Sequence, residues 1–148
     1  MPLTAVRHIG ITVSDIGRAL AFWEDFLGEA PRARTLLERP YVQQLVGLPG
    51  VRIEAAFFAL PDTTLEILEY RWEGRRALPQ DSFNPGHAHM CFTVEDIEAT
   101  LARAVRAGAR AIRPEGPVEI DAGPNAGNLA IYLRVPPDWH TIELYQAL

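Results

Sequence analysis

The chain writes one pattern twice. "HIGITVSDI", from His8 to Ile16, and "HMCFTVEDI", from His89 to Ile97, share a frame of histidine, apolar run, valine, one residue, then Asp-Ile. His8, Val13, Asp15 and Ile16 match His89, Val94, Asp96 and Ile97 at a constant offset of 81 residues. A second element repeats as well. "TLEIL" at 64–68 aligns with "TIELY" at 141–145, which sets Glu66 against Glu143. A fixed-period repeat signals two copies of one supersecondary unit. The length of 148 residues suits a single domain built from two small modules. We place the first module at about 5–70, a Pro- and Gly-containing connector at 71–86, and the second module at about 87–148.

Each copy continues the same way. Asp15 and Asp96 are suited to cap a helix N-terminus, because a short carboxylate accepts the free amides of the first turn. Ala19, Leu20, Trp23, Phe26 and Leu27 then follow helical spacing, as do Ile97, Leu101, Ala104 and Val105. Gly28 and Gly108 fit the left-handed position that ends a helix. Strand-like runs follow in both halves, so each reads as strand, helix, then up to three strands. Residues 29–50 carry no clear period and are expected to form a mobile loop over the ligand.

Alternation along the strands separates two faces. Ile9, Ile11 and Val13 oppose His8, Gly10 and Thr12. Met90, Phe92 and Val94 oppose His89, Cys91 and Thr93. Leu65 and Ile67 oppose Glu66 and Tyr70, and Ile142 and Leu144 oppose Glu143 and Tyr145. Every one of these strands has an apolar face for a helix and a second face bearing a His or a Glu. If the sheets curl around a shared cavity, His8, Glu66, His89 and Glu143 converge. Two imidazoles and two carboxylates suit a divalent metal, with Ni, Co, Mn, Zn and Fe all compatible. His87 shares the face of His89 but has no counterpart in the first module, so it is read as a rim residue that contacts substrate. Cys91 is read as a small cavity-wall residue. Tyr70 and Tyr145 either orient substrate or line the wall. Glu54 shares a face with Arg52 and Ala56, and alternation does not fix which face that is. Arg52 and Arg134 are surface arginines available to an anionic substrate.

A net charge of −5 argues against nucleic acid or an anionic membrane surface as partner, and no apolar run approaches a membrane span. The start "MPLTAVRHIGITV" has no signal-peptide layout, and the single cysteine excludes an internal disulfide or a thiolate zinc cluster. A cytoplasmic protein is the expectation.

"HIGITVSDIGRALAFWEDFLG", "LEILEY", "HAHMCFTVEDIEATLARAVRAGARA" and "YLRVPPDWHTIELYQ" resemble the vicinal oxygen chelate superfamily, which includes glyoxalase I, methylmalonyl-CoA epimerase, extradiol dioxygenases and drug-resistance proteins. The resemblance spans nearly the whole chain. It implies an α+β fold of two tandem βαβββ modules forming a curled mixed β-sheet around a metal-binding cleft, and usually a homodimer. It implies His8, Glu66, His89 and Glu143 as ligands of one divalent metal. It also implies a lyase or isomerase that chelates neighbouring oxygens of a small carbonyl substrate, with Glu143, Glu66 or Glu54 as base. Trp139 stands where the family usually has glycine, which marks it as a rim residue that touches substrate. Two alternatives remain open at this level: an Fe(II) extradiol-type dioxygenase, and a non-catalytic drug-binding protein.

Overall fold

The computed structural model describes residues 1–148. The first half runs β1 (Ile9–Thr12), α1 (Ile16–Leu27), β2 (Ala33–Leu37), α2 (Pro40–Val46), β3 (Arg52–Ala59) and β4 (Thr64–Arg71). The second runs β5 (Met90–Thr93), α3 (Ile97–Arg106), β6 (Arg110–Ala111), β7 (Val118–Glu119), β8 (Leu129–Val135) and β9 (His140–Gln146). The chain divides into two compact units, Met1–Ala77 and Leu78–Leu148. The fold is mixed α+β, with a βαβββ layout in each unit that is extended by the short helix α2 in the first and by an extra two-residue strand in the second. The strands form two open mixed sheets, one per unit, in the orders β1-β4-β3-β2 and β5-β9-β8-β6, with β7 also on β8. Every strand ladder lies inside its own module.

In each sheet the strand that directly follows the histidine lies parallel to the strand that carries glutamate. Gly10 pairs with Glu66 on β1–β4, and Cys91 pairs with Glu143 on β5–β9. The helix between such parallel strands starts as the sequence requires. Asp15 Oδ1 accepts the Arg18 amide at 2.9 Å, and Asp96 Oδ1 accepts the Ala99 amide at 2.9 Å. A long-range cap is added in each unit. The Ile16 amide donates to Glu69 Oε2 and the Ile97 amide to Gln146 Oε1, both at 2.8 Å. Two of the free first-turn amides of each helix are therefore satisfied. Gly28 ends α1 at φ 78°, a left-handed conformation that a Cβ disfavours. α3 ends one residue earlier than its glycine suggests: Ala107 takes the cap in right-handed geometry, and Gly108 follows at φ 113°.

The apolar faces form the core. Leu65, Ile67, Ala56 and Phe58 are buried on the face of the first sheet that carries α1, and α1 contributes Ile16, Ala19, Leu20, Phe22, Trp23 and Phe26. Ile142, Leu144, Leu133 and Ile131 do the same in the second sheet. Each of the leucine, isoleucine and phenylalanine side chains among these contributes about 1.5–3 kcal/mol by leaving water.

Residues 29–50 are not the loop that their lack of period suggests. They supply β2 and α2. Pro40 occupies the first turn of α2, Gly47 closes it at φ 71°, and Val42 packs with Val51 and Ile53 while Leu37, Val46, Leu48, Leu68 and Tyr70 surround them. A seven-residue helix is too short to show a period, so its packing partner defines it.

Candidate metal centre

Two His–Glu pairs form, one in each unit. His8 Nε2 lies 3.3 Å from Glu66 Oε2, and His89 Nε2 lies 3.1 Å from Glu143 Oε2. Strand register produces both. His8 is one residue before β1, and Glu66 is the β4 partner of Gly10. His89 is one residue before β5, and Glu143 is the β9 partner of Cys91. The carboxylates are the more sheltered members, at 12% and 20% side-chain exposure against 50% for His8 and 33% for His89. Within neither unit do three or more potential ligands gather, so each unit by itself offers one two-donor His–Glu pair. The pairs suit a divalent ion: imidazole nitrogen and carboxylate oxygen converge on one point in each, with no thiolate involved.

The other candidate residues divide by face. Cross-strand register places Ile53, Ala55, Phe57 and Ala59 on the Glu66 face and Arg52, Glu54, Ala56 and Phe58 on the opposite one. Glu54 thus stands across the sheet from Glu66. Its carboxylate holds Arg34 Nη2 and Arg71 Nη2, each at 2.6 Å. The hydrogen bonds from Arg71 and then Arg34 lower its pKa below the usual carboxylate value. Glu54 and Arg52 line a cavity of about 300 Å³ with Arg34, Thr35, Leu36 and Arg71, and neither joins His8 and Glu66. The face that alternation leaves open for Glu54 is set by the β3–β4 register, which gives it the phase opposite to that of Glu66.

Tyr70 shares the Glu66 face but packs into the α2 cluster around Val42, Val51 and Ile53. A second cavity, about 330 Å³, is lined by Arg7, His8, Arg32, Phe57, Phe58, Ala59, Thr64 and Glu66, without Tyr70. Tyr145 lies on the Glu143 face, and its hydroxyl accepts a hydrogen bond from Asn128 Nδ2. His87 is half-buried, its backbone amide donating to Asn84 O at 3.1 Å. Burial, and then the Glu143 charge, push the Cys91 thiol up to about 11, which keeps it protonated and poorly nucleophilic. Trp139 adopts φ 62° in the β8–β9 hairpin, the left-handed geometry that explains the usual glycine, and its ring lies 3.9 Å beneath the Arg110 guanidinium.

Tyr132 is a residue that alternation alone did not single out. It pairs with Glu143 across β8–β9, its hydroxyl lies 3.2 Å from His89 Nε2, and its ring sits 4.8 Å from the imidazole. Burial and then Glu143 raise its pKa. Phe57 holds the matching place opposite Glu66. Phe57 precedes Glu66 by nine residues and Tyr132 precedes Glu143 by eleven, so the repeat offset does not align them.

The profile of the Glyoxalase/Bleomycin resistance protein/Dioxygenase superfamily matches residues 5–125. The chain belongs to this superfamily. Among curated relatives, it is 34% identical over 140 residues to a 2-epi-5-epi-valiolone epimerase of Actinomyces sp., covering 89% of this chain and 74% of that one. It is 31% identical over 109 residues to an ethylmalonyl-CoA/methylmalonyl-CoA epimerase of Cereibacter sphaeroides, covering 72% and 73%. Among solved structures, a glyoxalase family protein from Bacillus cereus superposes with a TM-score of 0.82 at 22% identity, covering 100% of this chain and 97% of that one. The superfamily fold thus accounts for the paired modules and for the repeat that opens the sequence. No helix of the chain is long and apolar enough to cross a membrane.

Proposed function

We propose that this superfamily member is a divalent-metal-dependent isomerase or epimerase acting on a small carbonyl compound with two neighbouring oxygens. The observation that carries this reading is the duplicated His–Glu pair, at 3.3 Å and 3.1 Å, on matched strands of the two modules. His8, Glu66, His89 and Glu143 together would hold one ion, and a homodimer is the assembly we expect. The epimerase names of two curated relatives support the reaction class.

A bound divalent ion would supply Lewis acidity, stabilising negative charge on the substrate carbonyl oxygen. The residues do the proton work. A carboxylate at Glu143 Oε2 takes the proton beside the carbonyl, holds it, and returns it to the same carbon. Glu66, paired with His8 in the first module, is the corresponding candidate base. Phe57 and Cys91 supply uncharged wall beside these carboxylates. Tyr132 supports the ring of His89 by packing against it at an interplanar angle of 47°.

The test is exchange of the substrate proton with deuterated solvent, followed by proton NMR. The Mn(II)-loaded chain is incubated with methylmalonyl-CoA and with 2-epi-5-epi-valiolone, the two compounds the relatives point to. Exchange in the wild type and its loss in Glu143→Gln is the expected result. Exchange that persists in Glu143→Gln counts against the reading. Oxygen consumption with catechols would favour the dioxygenase alternative instead.

A further inference from the structure

We infer that the cavity beside His8 and Glu66 receives an anionic group of the substrate, a phosphate or a second carboxylate, recognised by Arg7 and Arg32. This rests on the proposed function, because the same substrate presents its vicinal oxygens to the His–Glu donors. The cavity of about 330 Å³ is lined by both arginines together with His8 and Glu66, while Phe57 and Ala59, on the Glu66 face of β3, form its apolar wall. That volume falls within the range of small-molecule sites.

Both arginines are set in place through backbone. Thr63 Oγ1 donates to Val6 O at 3.1 Å, anchoring the segment that delivers Arg7 and His8. The Arg32 amide donates to Phe57 O at 2.7 Å, anchoring Arg32 at the head of β2. The ion pairs of the chain engage Arg34, Arg71, Arg75, Arg113 and Arg134, and Arg7 and Arg32 stand outside them. In a chain of net charge −5, a cavity lined by two uncommitted guanidiniums and one carboxylate is locally cationic. A planar guanidinium binds phosphate or carboxylate through two parallel hydrogen bonds. The apolar wall then faces the carbon skeleton between the anionic group and the chelating oxygens.

The test compares three ligands on the Mn(II)-loaded full chain by titration calorimetry at matched ionic strength. Glycerate carries the vicinal hydroxyl and carboxylate alone. 3-Phosphoglycerate adds a phosphate, and malate adds a second carboxylate. At least one of the two is expected to bind about tenfold more tightly than glycerate. The Arg7→Gln/Arg32→Gln double variant should lose that advantage and leave glycerate binding unchanged. Both side chains are exposed, so the variant is expected to fold, and a circular dichroism spectrum checks this. Equal affinity for all three ligands, an advantage that survives in the double variant, or no binding of either anionic ligand overturns the inference. Glycerate binding that ignores metal removal would sink the metal reading instead, and an arginine-dependent preference would then still stand.

Discussion

The backbone amide of Ile16 donates to Oε2 of Glu69 at 2.8 Å, tying the start of α1 to the strand that carries Glu66. The second module repeats the device with a neutral group, as the Ile97 amide meets Gln146 Oε1 at the same distance. In both, the residue three places beyond the glutamate of the His–Glu pair holds the helix that follows the histidine strand. The link therefore fixes both members of each His–Glu pair to one rigid unit.

Because Gln146 performs this task without charge, Glu69→Gln should retain wild-type stability. Glu69→Ala leaves the amide unpaired and should cost about 1 kcal/mol. Urea denaturation separates the two variants, and equal losses in both would show that charge, not the hydrogen bond, matters at this position.

Glu54 serves the fold on the face opposite Glu66. Its pairing with Arg71 and Arg34 sets its folded pKa below the ordinary 4.5. A lowered carboxylate pKa contributes stability that is present above the ordinary value and is lost as pH falls through the folded one. Glu54→Gln should thus be about 1 kcal/mol less stable at neutral pH, a figure already reduced for solvent screening. The gap should close as the solution is acidified. Melting curves across that range check the sign, and metal binding should be unaffected at neutral pH.

Tyr70 packs in the α2 cluster, so its ring matters and its hydroxyl does not. Tyr70→Phe should leave both stability and metal affinity unchanged. Tyr70→Ala should cost about 2–4 kcal/mol. A large catalytic loss in Tyr70→Phe with unchanged stability would return Tyr70 to the substrate.

Much of this fold was legible in the sequence, for physical reasons. The 81-residue repeat exposed the module, Asp15 and Asp96 marked helix starts, and strand alternation separated Leu65 and Ile67 from Glu66. Whatever depended on register between strands was not legible. Glu54 was ambiguous because alternation gives a phase without saying which face of the neighbouring strand it meets. Tyr132 was overlooked because the hairpins before Glu66 and Glu143 differ in length. α2 was hidden because a helix of about two turns is too short to show a period and is defined by the packing partners it covers.

The most direct test of the central claim is the stoichiometry and affinity of metal binding, read by calorimetry and elemental analysis on the full chain. The account predicts one divalent ion per chain. Alanine at His8, Glu66, His89 or Glu143 should each weaken binding at least about 100-fold, since every one removes a ligand. A chain that binds no divalent ion, or four variants that keep wild-type affinity, would contradict it.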